Sequence, residues 1–117
     1  MNQYERGDVV VVNLEPIIGS EQAGRTRPCV IVSPGILNNK FHGVIICPLT
    51  DAGHFKQSAL GLVFVPAGEA GLSKNSLIIG FQIRMIDKRR IVKNLGTIDE
   101  KRMEELNEVL GLVIGMK

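Results

Sequence analysis

No apolar run in this chain is long, and that limits its architecture more than any other feature. Asp8 to Leu14, Pro28 to Ser33, Gly43 to Leu49, Leu60 to Val65, Ser76 to Phe81 and Arg89 to Leu95 are short stretches rich in Val, Ile and Leu. Most are bounded by Gly, Pro, Asn or Asp. Such runs read as short strands of an all-β barrel or sandwich, because β-branched side chains suit a pleated, half-buried surface and the flanking residues suit turns. Gln82 to Asp87 either extends the fifth run or forms a strand of its own after a bend. Gly71 to Asn75 reads as a helical turn.

The last segment has a different period. In TIDEKRMEELNEVLGLVIG, Met103, Leu106, Leu110 and Val113 recur at helical spacing with Glu and Lys between them, which predicts one amphipathic helix. Thr97 and Glu100 have capping-box spacing, and Asp99, Glu100, Glu104 and Glu105 place negative charge near the positive end of the helix dipole. Strands do not alternate with helices, so a parallel sheet is not expected. A mainly β fold with a C-terminal helix over one side is.

At 117 residues the expectation is a single domain, 1–117, with its own core. Its apolar runs fall far short of the roughly 20 residues of a membrane helix, and MNQYERGD lacks the pattern of a signal peptide. The expected location is therefore cytoplasmic, with no membrane partner. The net charge of +2 does not by itself announce a nucleic-acid binder. Cys29 and Cys47 lie inside apolar runs and read as small buried side chains.

Several chemistries lack their motifs. His42 and His54 fall in different loops without HExxH, CxxC or a carboxylate cluster, so no metal or other cofactor is expected. There is no phosphate-binding glycine loop and no GxSxG elbow. What remains is Arg27 immediately before Pro28. Proline biases the preceding residue toward extended backbone, which aims the guanidinium, and a guanidinium binds phosphate oxygens two at a time. Thr50 closes the third run. Antiparallel pairing of the second and third runs would bring Arg27 close to Thr50, where the two could hold a phosphodiester and stabilise charge in its transition state.

The order of motifs is more specific still. RGDVVVVNLEP from Arg6, GSEQAG from Gly19, Arg27-Pro28 before an apolar strand, CPLT ending at Thr50, and QIRMID from Gln82 together resemble the MazF/PemK family of toxin endoribonucleases from bacterial toxin–antitoxin systems. The resemblance implies an SH3-like β-barrel with a C-terminal helix (the CcdB/PemK-like plasmid maintenance toxin fold), working as a homodimer. It also implies metal-independent cleavage of single-stranded RNA, often mRNA, with attack by the ribose 2′-hydroxyl leaving a 2′,3′-cyclic phosphate and a 5′-hydroxyl. Carried over residue by residue, it makes Arg27, Thr50 and Glu21 the catalytic candidates. Arg27 would bind the phosphate, Thr50 would stabilise the pentacovalent phosphorus, and Glu21 would be the base or organise its loop. Gln82 and Arg84 match the family's Q-x-R stretch.

RNA contacts are further expected from Gln22 and Arg25 in the first loop and from Lys40, Phe41, His54, Phe55 and Lys56, in loops that a small barrel could gather at one rim. Phe41 and Phe55 would be its stacking platforms. Neutralisation by a MazE-like antitoxin follows from the resemblance, its disordered acidic and hydrophobic tail gaining order on binding. DNA would be reached only through that antitoxin. The chain departs from the family pattern at Phe81, where many members carry an acid, and in the extra residue of GRTRP, which adds Arg25. Two alternative readings are a non-catalytic RNA- or antitoxin-binding member of the fold and a CcdB-like gyrase poison.

Overall fold

The computed structural model describes residues 3–14 and 26–117. Along the chain run β1 (Asp8–Asn13), β2 (Thr26–Ile31), the one-turn helix α1 (Gly35–Asn38), β3 (Gly43–Asp51), β4 (Leu62–Val65), β5 (Ser76–Ile79), β6 (Arg84–Asp87), β7 (Ile91–Thr97) and α2 (Glu100–Val113). Every pairing is antiparallel, in the order β4-β5-β3-β2-β1-β7, with β6 added beside β3. This confirms a mainly β fold with a C-terminal helix. The hydrogen-bonded path among the described residues is open, a seven-stranded sheet with β6 off the main path.

β3 is the hub. On one edge it pairs β2, from Cys29↔Pro48 to Ile31↔Ile46. On the other it pairs first β6, from Gly43↔Asp87 to Ile46↔Arg84, and then β5, from Leu49↔Ile78 to Asp51↔Ser76. The change of partner falls at Cys47-Pro48, because a proline has no N–H to give to a ladder. Between β5 and β6 the chain makes a 3₁₀ turn over Gly80–Gln82. The fifth run therefore ends at Ile79, and the following residues form a separate strand.

Alternation along the strands divides the apolar residues into two cores. Val9, Val30, Cys47, Leu49, Val63, Val65, Ile78 and Ile98 form one core with Leu106 and Leu110 of α2. Val10, Val12, Cys29, Ile31, Val44, Ile46 and Ile86 form the other with Tyr4. Both cysteines are free and buried.

The RGD of the first motif holds the fold together. Arg6 Nε donates to the Val32 carbonyl oxygen at 2.7 Å and Nη2 donates to Asn107 Oδ1, which ties the sheet to α2. Gly7 adopts φ +98°. The Asp8 carboxylate accepts from the Glu5 backbone N–H at 2.9 Å and from the Thr97 hydroxyl at 3.2 Å. Thr97 is thereby kept in β7, and the cap of α2 is Asp99, whose Oδ1 accepts from Arg102 N at 2.9 Å. The spacing of Thr97 and Glu100 had suggested another cap; the β-bonding of Thr97 overrides it.

Two other local expectations shift. The 3₁₀ turn expected within Gly71 to Asn75 lies at Glu69–Gly71. Arg102 anchors it, donating to Glu69 at 3.1 Å and to Glu105 at 3.2 Å. The α1 turn was not foreseen: GILN is too short to show a helical period, and it is fixed from outside. Asn38 is buried, donating to the carbonyls of Tyr4 and Ser33.

Candidate active site

The antiparallel pairing inferred for the second and third runs is present, and its register is informative. The ladder begins at Cys29↔Pro48; two further steps set Arg27 across from Thr50. Neither Pro28 nor Pro48 can donate a backbone hydrogen bond. Pairing between these two strands thus stops short of the two side chains, while Arg27 stays paired with Val12 of β1 and Thr50 with Leu77 of β5. Arg-Pro on one strand and Cys-Pro-Leu-Thr on the other are two halves of one device, a sheet interrupted beside an arginine and a threonine.

Arg27 and Thr50 are both half-buried. Arg27 has no carboxylate partner among the described residues. Arg84, opposite Ile46 on β6, is exposed on the same face of the sheet. The guanidinium groups of Arg27 and Arg84 both act on the Cys29 thiol and favour its ionised form, yet burial dominates and pushes Cys29 up to about 12. Burial alone raises Cys47 to about 12. Neither thiol is a nucleophile at neutral pH, because the thiolate is the reactive form. What the two arginines offer is an electropositive site for an anion.

A cavity of about 180 Å³ opens beside Thr50, lined by Pro28, Leu49, Thr50, Asp51, Leu72, Ser73, Lys74 and Ser76. Asp51 Oδ1 accepts from the Gly53 backbone N–H at 2.8 Å, forming the turn that ends β3. Its Oδ2 lies 3.7 Å from Lys74 Nζ. Ser73 and Lys74 carry no local signal that points to this site, since only the β3–β5 pairing brings them to Thr50.

The remaining expected contacts divide between two places. Gln82, at the end of the 3₁₀ turn between β5 and β6, is exposed; His54, Phe55 and Lys56 follow Asp51 in an exposed loop, with Phe55 56% exposed. Lys40 and Phe41 precede Gly43 at the other end of β3. Seven strand steps separate Gly43 from Thr50, roughly 23 Å at about 3.3 Å per residue. Within one chain these two residues do not share a rim with Thr50, because β3 is longer than its apolar run suggested. Glu21, Gln22 and Arg25 lie outside the described residues. Phe81 is exposed, its ring against Gly61. Among the described residues no three His, Cys, Asp or Glu side chains cluster as metal ligands, and no helix is long and apolar enough to cross a membrane.

An antiparallel sheet whose β2–β3 ladder ends beside two prolines, closed on one face by a C-terminal helix, defines a small mainly β protein. Residues 5–114 match the model of the PemK-like, MazF-like toxins of type II toxin–antitoxin systems, and the chain belongs to that family. It is 33% identical over 112 residues to an endoribonuclease MazF of Staphylococcus saprophyticus, covering 95% of this chain and 91% of the relative. It is 31% identical to the endoribonuclease EndoA of Bacillus subtilis, over 96% and 95% of the two chains. A crystal structure of MazF from Deinococcus radiodurans superposes with a TM-score of 0.78 at 26% identity, covering 99% of this chain and 100% of that one.

Proposed function

We propose that this toxin is a metal-independent endoribonuclease that cleaves single-stranded RNA, mRNA included, at short sequences, and thereby stops translation and growth. The observation that supports this reading is the β2–β3 register, whose extension two residues beyond Cys29↔Pro48 would set Arg27 against Thr50. Relatives over nearly the full chain bear the name endoribonuclease.

In the proposed reaction the ribose 2′-oxygen attacks the adjacent phosphorus as its proton passes to a base. The bond from phosphorus to the 5′-oxygen then breaks, and that oxygen takes up a proton. The products are a 2′,3′-cyclic phosphate and a 5′-hydroxyl. Arg27 binds the non-bridging oxygens and offsets the charge that grows on them, while the Thr50 hydroxyl donates to the pentacovalent phosphorus group. A guanidinium gives up its proton only above about pH 12, so the base is sought elsewhere, with Glu21 as the candidate. Gln82 and Arg84 position the strand.

The chain works as a homodimer in this reading, with MazE-like antitoxin as its inhibitor. Supporting a dimer are the exposed Leu112 of α2, Ile114 and Met116 just beyond it, and the exposed Leu60, which lines one cavity with Leu112. Supporting the antitoxin are solved complexes of proteins of the same fold, MazE–MazF from Deinococcus radiodurans (24% identity, TM-score 0.77) and a mycobacterial endoribonuclease with its cognate antitoxin (18%, 0.78).

The test is to incubate purified protein with a mixed RNA pool in EDTA and to sequence the ends. Cleavage at a short motif with cyclic phosphate ends is expected. A strict requirement for a divalent metal would overturn the mechanism, and intact RNA under all conditions would overturn the function.

A further inference from the structure

Two loops far apart in the sequence meet at the end of β3 away from Thr50, and we propose that together they form a second RNA contact, in which Lys40, Lys88 and Arg89 bind backbone phosphates and Phe41 stacks a base several nucleotides from the cut. The inference rests on the endoribonuclease reading above and adds a distal site to it.

The β3–β6 pairing makes the juxtaposition. Gly43 lies opposite Asp87, and one step further the His42 carbonyl accepts from Lys88 N at 2.8 Å. That bond sets Lys40, Phe41 and His42 beside the 3₁₀ turn Lys88–Arg90. One cavity of about 510 Å³ is lined by His42, Asp87, Lys88 and Arg89, and another of about 310 Å³ by Tyr4, Lys88, Arg89 and Ile91. Lys88 and Arg89 line both, so their charges border two hollows at once.

The turn is held in place before any ligand arrives. Asp87 Oδ1 accepts from Arg89 N at 2.8 Å and from Arg89 Nε at 3.1 Å, while Oδ2 accepts from Nη2 at 3.0 Å. Arg90 Nη1 donates to the Asn13 carbonyl at 3.3 Å. A guanidinium carries five donors, and Asp87 engages only the Nε and Nη2 edge of Arg89. Nη1 is left to a phosphate, on a side chain that is 89% exposed. Lys40 and Lys88 have no carboxylate partner among the described residues, so their charge is uncompensated.

Composition and position choose the occupant. Phe41 is 58% exposed next to these cations. A flat ring among phosphate-binding side chains is how single-stranded RNA is held without base choice, whereas an acidic peptide would match the charge alone. The charge also leads back toward Thr50, because Arg84, opposite Ile46, stands on β6 between the turn and that end of β3. The patch lies roughly 23 Å from Thr50 at about 3.3 Å per strand residue. A stacked strand advances about 3.4 Å per nucleotide, so RNA reaches the patch about seven nucleotides from the cut, and sooner when extended.

The experiment uses two RNAs that carry the cleavage motif at their centre, one of five nucleotides and one of twenty-one, in EDTA. Wild type, Lys40→Gln/Lys88→Gln and Phe41→Ala are compared by single-turnover cleavage and, with a 2′-deoxy residue at the cut, by fluorescence anisotropy. On the long RNA each variant should bind about tenfold more weakly at low salt, the scale of a lost base stack or of two lost phosphate contacts. The lysine variant should also flatten the dependence of log K on log salt by about 1.4, at about 0.7 for each phosphate. On the short RNA both variants should cut at the wild-type rate. Trimming the long RNA should remove the difference once the flanks fall below about seven nucleotides. Each substituted side chain is at least partly exposed, so thermal melts should match the wild type. Equal binding of the long RNA by all three proteins, or equal losses on both lengths, would overturn the distal site and leave the endoribonuclease reading standing. So would a loss confined to binding of an acidic antitoxin peptide. A wild type that cuts no RNA would overturn both.

Discussion

If Arg27 and Thr50 serve one phosphate, their removal must be non-additive, and the register sets the scale of the effect. Residues opposed across an antiparallel pair have Cβ atoms about 4.5–5.5 Å apart, close enough for a long guanidinium and a hydroxyl to meet on one group. Loss of one preorganised donor to a developing oxyanion costs about 10²–10³ in kcat, or roughly 3–4 kcal/mol. Arg27→Ala should fall in that range or below it, since it also removes a charge with no carboxylate partner among the described residues. Thr50→Val, which keeps the shape and removes the hydroxyl, should lose about 10²-fold. Side chains acting on one group couple by about 0.5–3 kcal/mol. The double variant should therefore be about two- to 150-fold more active than the product of the two losses predicts. The assay is single-turnover cleavage of a fluorescent oligoribonucleotide containing the preferred site, with thermal melts to verify folding. Additivity within experimental error, or full activity in either single variant, would refute the shared phosphate.

Leu106 of α2 is fully buried against the sheet, so Leu106→Ala should destabilise by about 2–5 kcal/mol in urea unfolding. Asp99→Ala removes the side chain that caps α2 and should cost about 1 kcal/mol by the same measurement. With both thiols held at about 12, only about one in 10⁴ is ionised at pH 8. Iodoacetamide should therefore leave Cys29 and Cys47 unlabelled in native protein and modify both in urea; native labelling faster than global unfolding would contradict the burial. Gly71, at φ +73°, packs where a Cβ would collide with the Leu95 carbonyl oxygen. Gly71→Ala should lower the melting temperature more than Gly68→Ala, whose Cβ meets open space.

Much of the fold could be read from the sequence because its elements announce themselves locally. Runs of Val and Ile between turn residues located six strands, and a 3.6-residue period from Met103 to Leu110 located α2. The errors fall where a distant partner overrides a local signal. Thr97 has the spacing of a cap but bonds to Asp8, 89 residues away in sequence. The GILN turn has no period to reveal it and is held by Asn38 against the Tyr4 and Ser33 carbonyls.

The site shows the same division. Arg27 beside Pro28, and Thr50 after CPL, were visible because proline acts on its own neighbours: it fixes backbone direction and withholds a donor. Those effects belong to the sequence. That Lys40 and Phe41 stand a strand's length from Thr50, while Ser73 and Lys74 border it, was decided by pairing between strands distant along the chain. A pairing register is set by the burial of whole faces, which depends on both strands together. The sequence alone determined which residues could bind a phosphate, and the tertiary structure decided which of them meet.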